Sequence, residues 1–172
     1  MCCISGSPLP AVTWWRDMSL LDDDYYNKSD GTSRNELVIP RLDRSDARGV
    51  FTCQASNTNL TLPVYSSVTI DMNLRPLDVK VTSARDTLVA GHRAELRCQS
   101  WGAQPAARIS WWKGGEKLTR TVEKVDGNVT SSTLVFVPAA EDHERLLTCK
   151  ADNPQLPGSG IEDSVFLSVA CE

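Results

Sequence analysis

Residues 149–153 read Cys-Lys-Ala-Asp-Asn, and residues 53–57 read Cys-Gln-Ala-Ser-Asn. The pattern Cys-x-Ala-x-Asn therefore occurs twice, and each time another cysteine, Cys98 or Cys2, stands 51 positions before it. A pair of adjacent tryptophans lies between the two cysteines in both places. Shared features at one spacing indicate two copies of one folding unit, each closed by a disulfide bond across its core.

Apolar and polar residues alternate through both copies, which is typical of β-strands with one buried face. No stretch has the period of about 3.6 residues that marks a long amphipathic helix, so the sequence predicts an all-β protein. In the second copy the inward sets are Ala94, Leu96 and Cys98; Ile109 and Trp111; Leu134 and Phe136; Leu147, Cys149 and Ala151; and Val165, Leu167 and Val169. In the first copy they are Val12 and Trp14; Leu37 and Ile39; Phe51, Cys53 and Ala55; and Val68, Ile70 and Met72.

The order cysteine, tryptophan, cysteine on three such strands resembles the immunoglobulin fold. In that fold a disulfide bond joins two stacked sheets, and a buried tryptophan packs against it. The chain is therefore predicted to form two tandem immunoglobulin-like β-sandwiches. The predicted disulfide bonds are Cys2–Cys53 and Cys98–Cys149.

Cys2 and Cys3 are adjacent, and either could bond to Cys53. Only Cys2 keeps the 51-residue separation, and only Cys2 stands four positions before a glycine, as Cys98 does. A slip of one residue would turn the whole strand inside out. Cys3 is therefore expected to face outward, and Cys3 and Cys171 are left over.

Strand parity separates the two members of each tryptophan pair. Trp14 and Trp111 share a face with the aliphatic residue two positions earlier, so both belong in the cores. Trp15 and Trp112 then point outward. An outward tryptophan is often an interface anchor, although burial under neighbouring side chains is the more common reason for one. We keep Trp15 and Trp112 as a possible interface.

The repeat divides the chain into an immunoglobulin-like domain over residues 1–74 and a second, C2- or I-like, over residues 75–170. The first opens on the strand of its first cysteine, strand B, so strand A is expected to be absent. Because Met1 does not begin a signal peptide, we expect a fragment of a longer protein. Neither domain has the tyrosine that ties the E–F corner of antibody domains. Asp46 and Asp142, each seven residues before a cysteine, are expected to cap that corner instead.

Cysteine usage and glycosylation motifs indicate an extracellular location. Four of the six cysteines form matched pairs, which favours an oxidising compartment. Sequons at Asn27, Asn59 and Asn128 are predicted glycosylation sites. No apolar run approaches the ~20 residues that cross a bilayer. Attachment to a membrane would therefore need a transmembrane segment outside this sequence.

Several function classes find no support. The formal net charge is −4, with 18 basic and 22 acidic residues interspersed, which disfavours nucleic-acid binding. The two histidines have no metal-ligand spacing, and three adjacent carboxylates in residues 22–24 do not converge on a cation. No nucleophile can be assigned to a base and no phosphate-binding loop is present. We expect no enzyme activity, no metal and no cofactor.

Longer runs resemble the Sidestep family of neuronal guidance proteins. They are residues 53–61, residues 68–77 at the domain join, residues 107–113 and residues 161–164. The resemblance implies the second and third extracellular domains of a single-pass membrane protein at the extracellular side of the plasma membrane. It also implies cell–cell recognition in axon guidance through a Beaten-path-like protein partner. The family's outermost domain does not lie in this sequence, so no binding residue is carried over.

Two other functions fit the same framework. One is a general adhesion receptor of the nephrin type, which binds related domains on a facing cell. The other is a passive immunoglobulin spacer or an intracellular scaffold, as in muscle immunoglobulin arrays. The sequons and the cysteine spacing argue against the intracellular version.

Overall fold

The computed structural model describes residues 1–83 and 87–171. Its internal contacts divide the chain into unit 1, Met1–Met72, and unit 2, Asn73–Glu172. The division lies two residues before the predicted boundary. In the described part of the chain, helix is restricted to two short 3₁₀ turns, and the rest of the regular structure is β-strand. The all-β prediction is confirmed.

Unit 1 contains seven strands. They are β1 (Cys2–Ser5), β2 (Ala11–Arg16), β3 (Ser19–Asp22), β4 (Tyr26–Asn27), β5 (Thr32–Asn35), β6 (Val50–Ser56) and β7 (Val64–Thr69). One sheet has the order β1-β5-β4 and the other the order β3-β2-β6-β7. All the pairings are antiparallel.

A disulfide bond and a tryptophan occupy the centre of unit 1. The bond joins Cys2 of β1 to Cys53 of β6, with the two Cα atoms 6.3 Å apart. Trp14 is 7% exposed, and its indole N–H donates to the carbonyl oxygen of Asn35 at 3.4 Å. The core is small, because only a few hydrophobic residues are fully buried: Val12, Trp14, Phe51, Cys53 and Ala55.

Unit 2 repeats this plan with more strands. They are β8 (Asp78–Val81), β9 (Leu88–Val89), β10 (Ala94–Trp101), β11 (Arg108–Lys113), β12 (Glu116–Leu118), β13 (Thr121–Asp126), β14 (Val129–Phe136), β15 (Leu146–Asp152), β16 (Ile161–Phe166) and β17 (Val169–Ala170). The two main sheets have the orders β13-β14-β10-β8 and β12-β11-β15-β16. A short parallel pair, β17 with β9, completes the unit.

The core of unit 2 is larger. Cys98 of β10 and Cys149 of β15 form the disulfide bond, with their Cα atoms 6.5 Å apart. Trp111 is 0% exposed, and its indole N–H donates to Ser132 Oγ at 3.1 Å. Fourteen buried hydrophobic residues form one cluster, against five in unit 1. Unit 2 therefore holds most of the buried apolar surface that stabilises the fold.

The two units differ most at the strand that pairs with the first cysteine strand. In unit 2, β8 pairs with β10 on the side away from β14. Among the described residues, β1 of unit 1 pairs with β5 alone. The predicted fold class, an all-β chain of two tandem sandwiches, is confirmed.

The prediction of a strand through Leu37 and Ile39 is wrong. The ladder between β1 and β5 ends at the pair Cys2 and Asn35, and Leu37 and Ile39 lie in no strand of the described residues. In unit 2 the equivalent strand continues to Phe136 because Ala94 lies opposite that residue. Leu37 and Ile39 still pack against the core, but outside a ladder.

The last predicted strand of each unit is also shorter than expected. In unit 1, β7 ends at Thr69, so Ile70 and Met72 lie beyond it. Ile70 is held by backbone hydrogen bonds to Gly49 and Arg48 instead. In unit 2 the predicted strand is interrupted between β16 and β17.

A buried aspartate closes the same corner in both units, which confirms the expectation for Asp46 and Asp142. Asp46 accepts the backbone N–H of Asp43 at 2.8 Å, and Asp142 accepts that of Ala139 at 2.9 Å. Each carboxylate also forms an ion pair with the last residue of the tryptophan strand. Asp46 pairs with Arg16, and Asp142 pairs with Lys113 at 2.7 Å.

The carboxyl of Asp142 titrates below its ordinary range. Burial by itself raises the pKa of Asp142, since it disfavours the charged form. The hydrogen bond from Lys113, the backbone N–H of Ala139 and the charges of Lys113 and Arg145 outweigh that effect and lower the pKa. The ionised carboxylate is therefore the form that holds the corner.

Candidate recognition surface

The outer face of the sheet that carries the tryptophan strand has the same central row in both units. In unit 1, Trp15 of β2 lies opposite Thr52 of β6, and Thr52 lies opposite Ser67 of β7. In unit 2 the row is Trp112, Thr148 and Ser164. Residues that lie opposite one another on antiparallel strands project to the same face. We call these sets the Trp–Thr–Ser rows.

Hydrogen bonds fix the side chains of each row. The hydroxyls of Thr52 and Ser67 are 2.8 Å apart, as are those of Thr148 and Ser164. Each outward indole N–H donates to the hydroxyl two residues earlier on its own strand. The distances are 2.8 Å from Trp15 to Thr13 and 3.0 Å from Trp112 to Ser110.

Both outward tryptophans are half-buried. Neighbouring side chains therefore cover part of each ring, as expected if packing within the domain explains the outward tryptophans. The rest of each ring remains accessible. The indole N–H is already satisfied, so a partner could bury the remaining ring surface without leaving a polar group unpaired. The geometry leaves Trp15 and Trp112 as candidate contact residues.

The outer faces of the two sheets differ in charge. In unit 1 the outward residues of the strands around Trp15 are uncharged: Thr13, Leu20, Val50, Thr52, Gln54, Tyr65, Ser67 and Thr69. Tyr65 is 78% exposed, and Leu20 and Val50 are also exposed. In unit 2 the equivalent face includes Lys117, Lys150 and Glu162. Only the face of unit 1 combines exposed apolar groups with no formal charge.

The three sequons lie at exposed positions. Asn27 belongs to β4, and Asn128 follows Gly127 in the turn between β13 and β14. Both are on the sheets opposite the Trp–Thr–Ser rows. Asn59 lies in the loop between β6 and β7 beside the exposed Leu60 and Leu62. A glycan at Asn27 or Asn128 would leave the outer face around either outward tryptophan open.

Other types of site find no support in residues 1–83 and 87–171. There, no three His, Cys, Asp or Glu side chains come together in a way that could bind a metal ion. No helix of this part is long and apolar enough to cross a membrane. Cys3 and Cys171 are exposed thiols outside the two disulfide bonds.

Comparison with protein families decides the class. A model described as an immunoglobulin domain matches residues 1–57, and a model of the CD80-like C2-set immunoglobulin domain matches residues 75–159. Both units are immunoglobulin-superfamily domains. Proteins similar to this chain are immunoglobulin proteins of cell adhesion and recognition.

Three relatives illustrate the similarity between these immunoglobulin domains and known proteins. Human nephrin is 27% identical over 169 residues, which is 91% of this chain and 14% of nephrin. Mouse hemicentin-2 is 30% identical over 163 residues, 88% of this chain and 3% of that protein. Human cell adhesion molecule 3 is 30% identical over 128 residues, 70% of this chain and 31% of that protein. The chain thus spans less than a third of the length of each.

Solved structures of immunoglobulin domains share the fold of this chain. The Rst D1-D2 structure has a TM-score of 0.61 and 18% identity, and the alignment covers 95% of this chain and 86% of that one. The ectodomain of mouse nectin-like molecule 4 has a TM-score of 0.61 and 22% identity, covering 95% and 55%. The titin fragment I67-I69 has a TM-score of 0.57 and 19% identity, covering 94% and 56%. At these identities the likeness shows the fold alone.

Sequence reasoning missed the Trp–Thr–Ser rows and the uncharged face. A weak signal was present, since a threonine precedes the second cysteine in both copies and a Ser-Val pair recurs at residues 67–68 and 164–165. The absence of charge depends on strand pairing. It could not be read before the register of β2, β6 and β7 was known.

Proposed function

We propose that this chain is an extracellular recognition module that binds a partner immunoglobulin-superfamily protein in cell–cell recognition, without a catalytic step. The observation that carries the proposal is the uncharged outer face of unit 1, which has Trp15 in its central row, Leu20 opposite Trp15 on β3 and exposed Tyr65 on β7. The adhesion proteins among its relatives support the same class of function.

Physical reasons favour this face as the contact. Aromatic residues carry a large share of the energy at protein interfaces. Charged groups at an interface must be desolvated and then re-paired, and an uncharged face avoids that cost. Threonine and serine hydroxyls that already bond to each other add little desolvation cost when they are covered.

The finer proposal is that the recognition event belongs to axon guidance and that the partner is a Beaten-path-like protein. It rests on the resemblance of residues 53–61 and 68–77 to the Sidestep family. In that setting the full protein would be anchored in the plasma membrane by a segment outside this sequence. The two units would then be displayed on the extracellular side.

The test is a binding measurement on the full chain with both disulfide bonds formed. The chain is captured on a sensor, and ectodomains of Beaten-path-like proteins are passed over it at several concentrations. Trp15→Ala is expected to raise the Kd about thirtyfold or more, which is the effect of a hot-spot residue of about 2 kcal/mol. Trp112→Ala is the matched control in unit 2 and is expected to change the Kd less than threefold.

Two outcomes would contradict the proposal. An equal increase in Kd for the two variants would mean that the contact is not made specifically through the uncharged face. An unchanged Kd for Trp15→Ala, with the variant folded by near-ultraviolet circular dichroism, would remove the face from the contact.

A second candidate is an adhesion receptor of the nephrin type, which the 27% identity to human nephrin over 169 residues favours. In that case the chain would bind ectodomains of general adhesion receptors rather than Beaten-path-like ones in the same assay. A passive spacer would bind neither set. The same panel of ectodomains therefore separates all three functions.

A further inference from the structure

The outer face of one sheet of unit 2 has a row of polar residues with a lysine at each end. The sheet has the strand order β13-β14-β10-β8. Gln99 of β10 lies opposite Lys80 and Ser131, and Ser131 lies opposite Lys124 of β13. Residues that lie opposite one another project to the same face. Cys98, the neighbour of Gln99 on β10, is buried in the core, so this row faces outward.

A third cation lies in the next row of the same face. Arg97 is two residues from Gln99 on β10 and lies opposite Thr133. Lys80, Arg97 and Lys124 are all exposed, and none of them forms an ion pair within the described part of the chain. We call these two rows the basic rows; as paired in the sheet they contain three cations and no carboxylate: Lys80, Gln99, Ser131, Lys124, Arg97, Thr133 and Val122.

Acidic residues border the basic rows on both sides. Glu95 lies in the row beyond Arg97 and already pairs with Arg93 at 2.8 Å. Asp78 and Asp126 are the two ends of the row on the other side. A negatively charged ligand would meet like charge if it extended in either direction. The basic rows therefore define both the position and the direction of an anionic ligand, which would cross the strands.

Trp101 adds an aromatic ring beside the basic rows. It is 36% exposed and lies two residues from Gln99 on the outward side of β10. The indole N–H groups of the other tryptophans all donate hydrogen bonds: Trp14, Trp15, Trp111 and Trp112. The indole N–H of Trp101 has no acceptor among the described residues. Both the ring and its donor are therefore available to a ligand.

The spacing of the cations fits a polymer rather than a single ion. Lys80 and Lys124 are three strand spacings apart, which places their Cα atoms about 14 Å from each other. A small inorganic anion can contact only one end, whereas a chain with repeated anionic groups can contact both. The groups between the lysines are an amide and hydroxyls, which both donate and accept hydrogen bonds and so match the hydroxyls of sugars.

We propose that the basic rows and Trp101 form a binding site for a sulfated glycosaminoglycan. The polysaccharide crosses the strands of the sheet, and its sulfate groups contact Lys80, Arg97 and Lys124. Guanidinium and ammonium groups form charge-assisted hydrogen bonds with such oxyanions, while the ring of Trp101 packs against a sugar ring. The site belongs to unit 2 and uses no residue of the uncharged face around Trp15. It therefore adds an anchorage on polysaccharide to the proposed binding of a protein partner.

The test is a calorimetric titration of the full chain, with both disulfide bonds formed, with a heparin oligosaccharide of defined length at physiological salt. We expect saturable binding that weakens as salt is added, because charge–charge contacts at an exposed site are screened. Heparin stripped of its sulfate groups is expected to bind roughly tenfold or more weakly. Hyaluronan, which has carboxylates but no sulfate, is expected to do the same.

Two variants with the same change in net charge locate the site. The first neutralises the basic rows and is expected to raise the Kd for heparin about tenfold or more: Lys80→Gln, Arg97→Gln and Lys124→Gln together. The second removes three cations from the other main sheet of unit 2 and is expected to change the Kd less than about threefold: Arg108→Gln, Lys117→Gln and Lys150→Gln together. All six positions are exposed, and near-ultraviolet circular dichroism checks that both variants are folded.

The aromatic contact has its own variant. Trp101→Ala is expected to raise the Kd about threefold to tenfold, because it removes the ring that packs against the sugar. It removes no charge, so the salt dependence of binding should stay that of the parent chain. A Kd equal to that of the parent chain would exclude Trp101 from the site.

Three results would overturn the site. One is the absence of saturable heparin binding at physiological salt. Another is an equal increase in Kd for the two triple variants, which would mean attraction by overall charge. The third is equal affinity for heparin and for single-stranded DNA, which would mean that any polyanion binds. None of these results bears on the protein partner, since that contact is tested through Trp15→Ala.

Discussion

Unit 1 and unit 2 have the same cysteine and tryptophan framework but differ in what surrounds it. Unit 2 has β8 at the edge of its first sheet and fourteen buried hydrophobic residues in one cluster. Unit 1 has five such residues, and among the described residues its β1 pairs with β5 alone. The comparison shows that one disulfide and tryptophan framework can hold sandwiches whose cores differ in size.

Removing the disulfide bonds should reveal the largest difference in stability between the two units. Each bond closes a loop of about fifty residues, which is worth roughly 4 kcal/mol. Replacing both cysteines of Cys98–Cys149 with alanine should lower the melting temperature of unit 2 but leave it folded. The same change at Cys2–Cys53 should unfold unit 1, because its small core cannot offset the loss. Calorimetry of the full chain measures both transitions. A folded unit 1 without its bond would contradict the comparison.

The corner ion pair should have the next largest effect. Asp142→Asn leaves the half-buried ammonium of Lys113 without its carboxylate and should cost about 1–3 kcal/mol. Because the pKa of Asp142 is lowered in the folded state, its contribution is complete above its ordinary pKa of about 4 and is lost as the pH falls through the lower, folded-state pKa. Urea unfolding between pH 2 and pH 7 should show this loss in the parent chain.

The Asp142→Asn variant supplies its own control for that measurement. A carboxamide does not titrate in this range, so the variant should lack the part of the pH dependence that belongs to this corner. Parallel curves for the variant and the parent chain would mean that Asp142 does not contribute to the acid sensitivity of unit 2.

Equivalent valines should report the difference in burial between the two units directly. Val165→Ala in unit 2 removes two methyl groups from a site that packs against the core, and should cost about 1 kcal/mol. Val68→Ala in unit 1 removes the same groups from a half-exposed site, and should cost only a few tenths of that. Equilibrium denaturation of each unit's transition gives both values. Similar costs would indicate that Val68 is covered in solution.

The two exposed thiols should have the smallest effect on stability. Cys3→Ser and Cys171→Ser touch neither core and should leave both melting temperatures unchanged within about a degree. Their effect should be on covalent association. The parent chain should form disulfide-linked oligomers on a non-reducing gel after exposure to air, and the double variant should not. Oligomers that persist in the double variant would implicate the bridged cysteines.

The sequence was most informative where parity and spacing decide the structure. The strand parity that puts Trp14 and Trp111 inside follows from alternation alone, and the preference for Cys2 over Cys3 follows from the spacing shared with Cys98. Asp46 and Asp142 were identified at the corner from their shared distance to the second cysteine. These features are local or occur in both copies of the repeat, so the pattern in one copy supports the prediction made for the other.

The sequence was least informative where a partner strand decides the outcome. Leu37 and Ile39 alternate as a strand does, but a ladder needs a second chain segment, and no strand of the described residues pairs with them. The uncharged face depends on which residues of β2, β6 and β7 lie side by side, so it became visible only with the register. The identity of the binding partner depends on surface chemistry that neither the fold nor the framework determines.

The uncharged outer face of unit 1 has a kinetic consequence. A contact made through Thr13, Trp15, Thr52 and Tyr65 gains no local electrostatic steering, so association should proceed at an unsteered rate of about 10⁵–10⁶ M⁻¹ s⁻¹. Added salt should scarcely change that rate. Contact duration would then be set by how well the aromatic surface is covered, and cells that touch briefly would be discriminated by dwell time rather than by speed of capture.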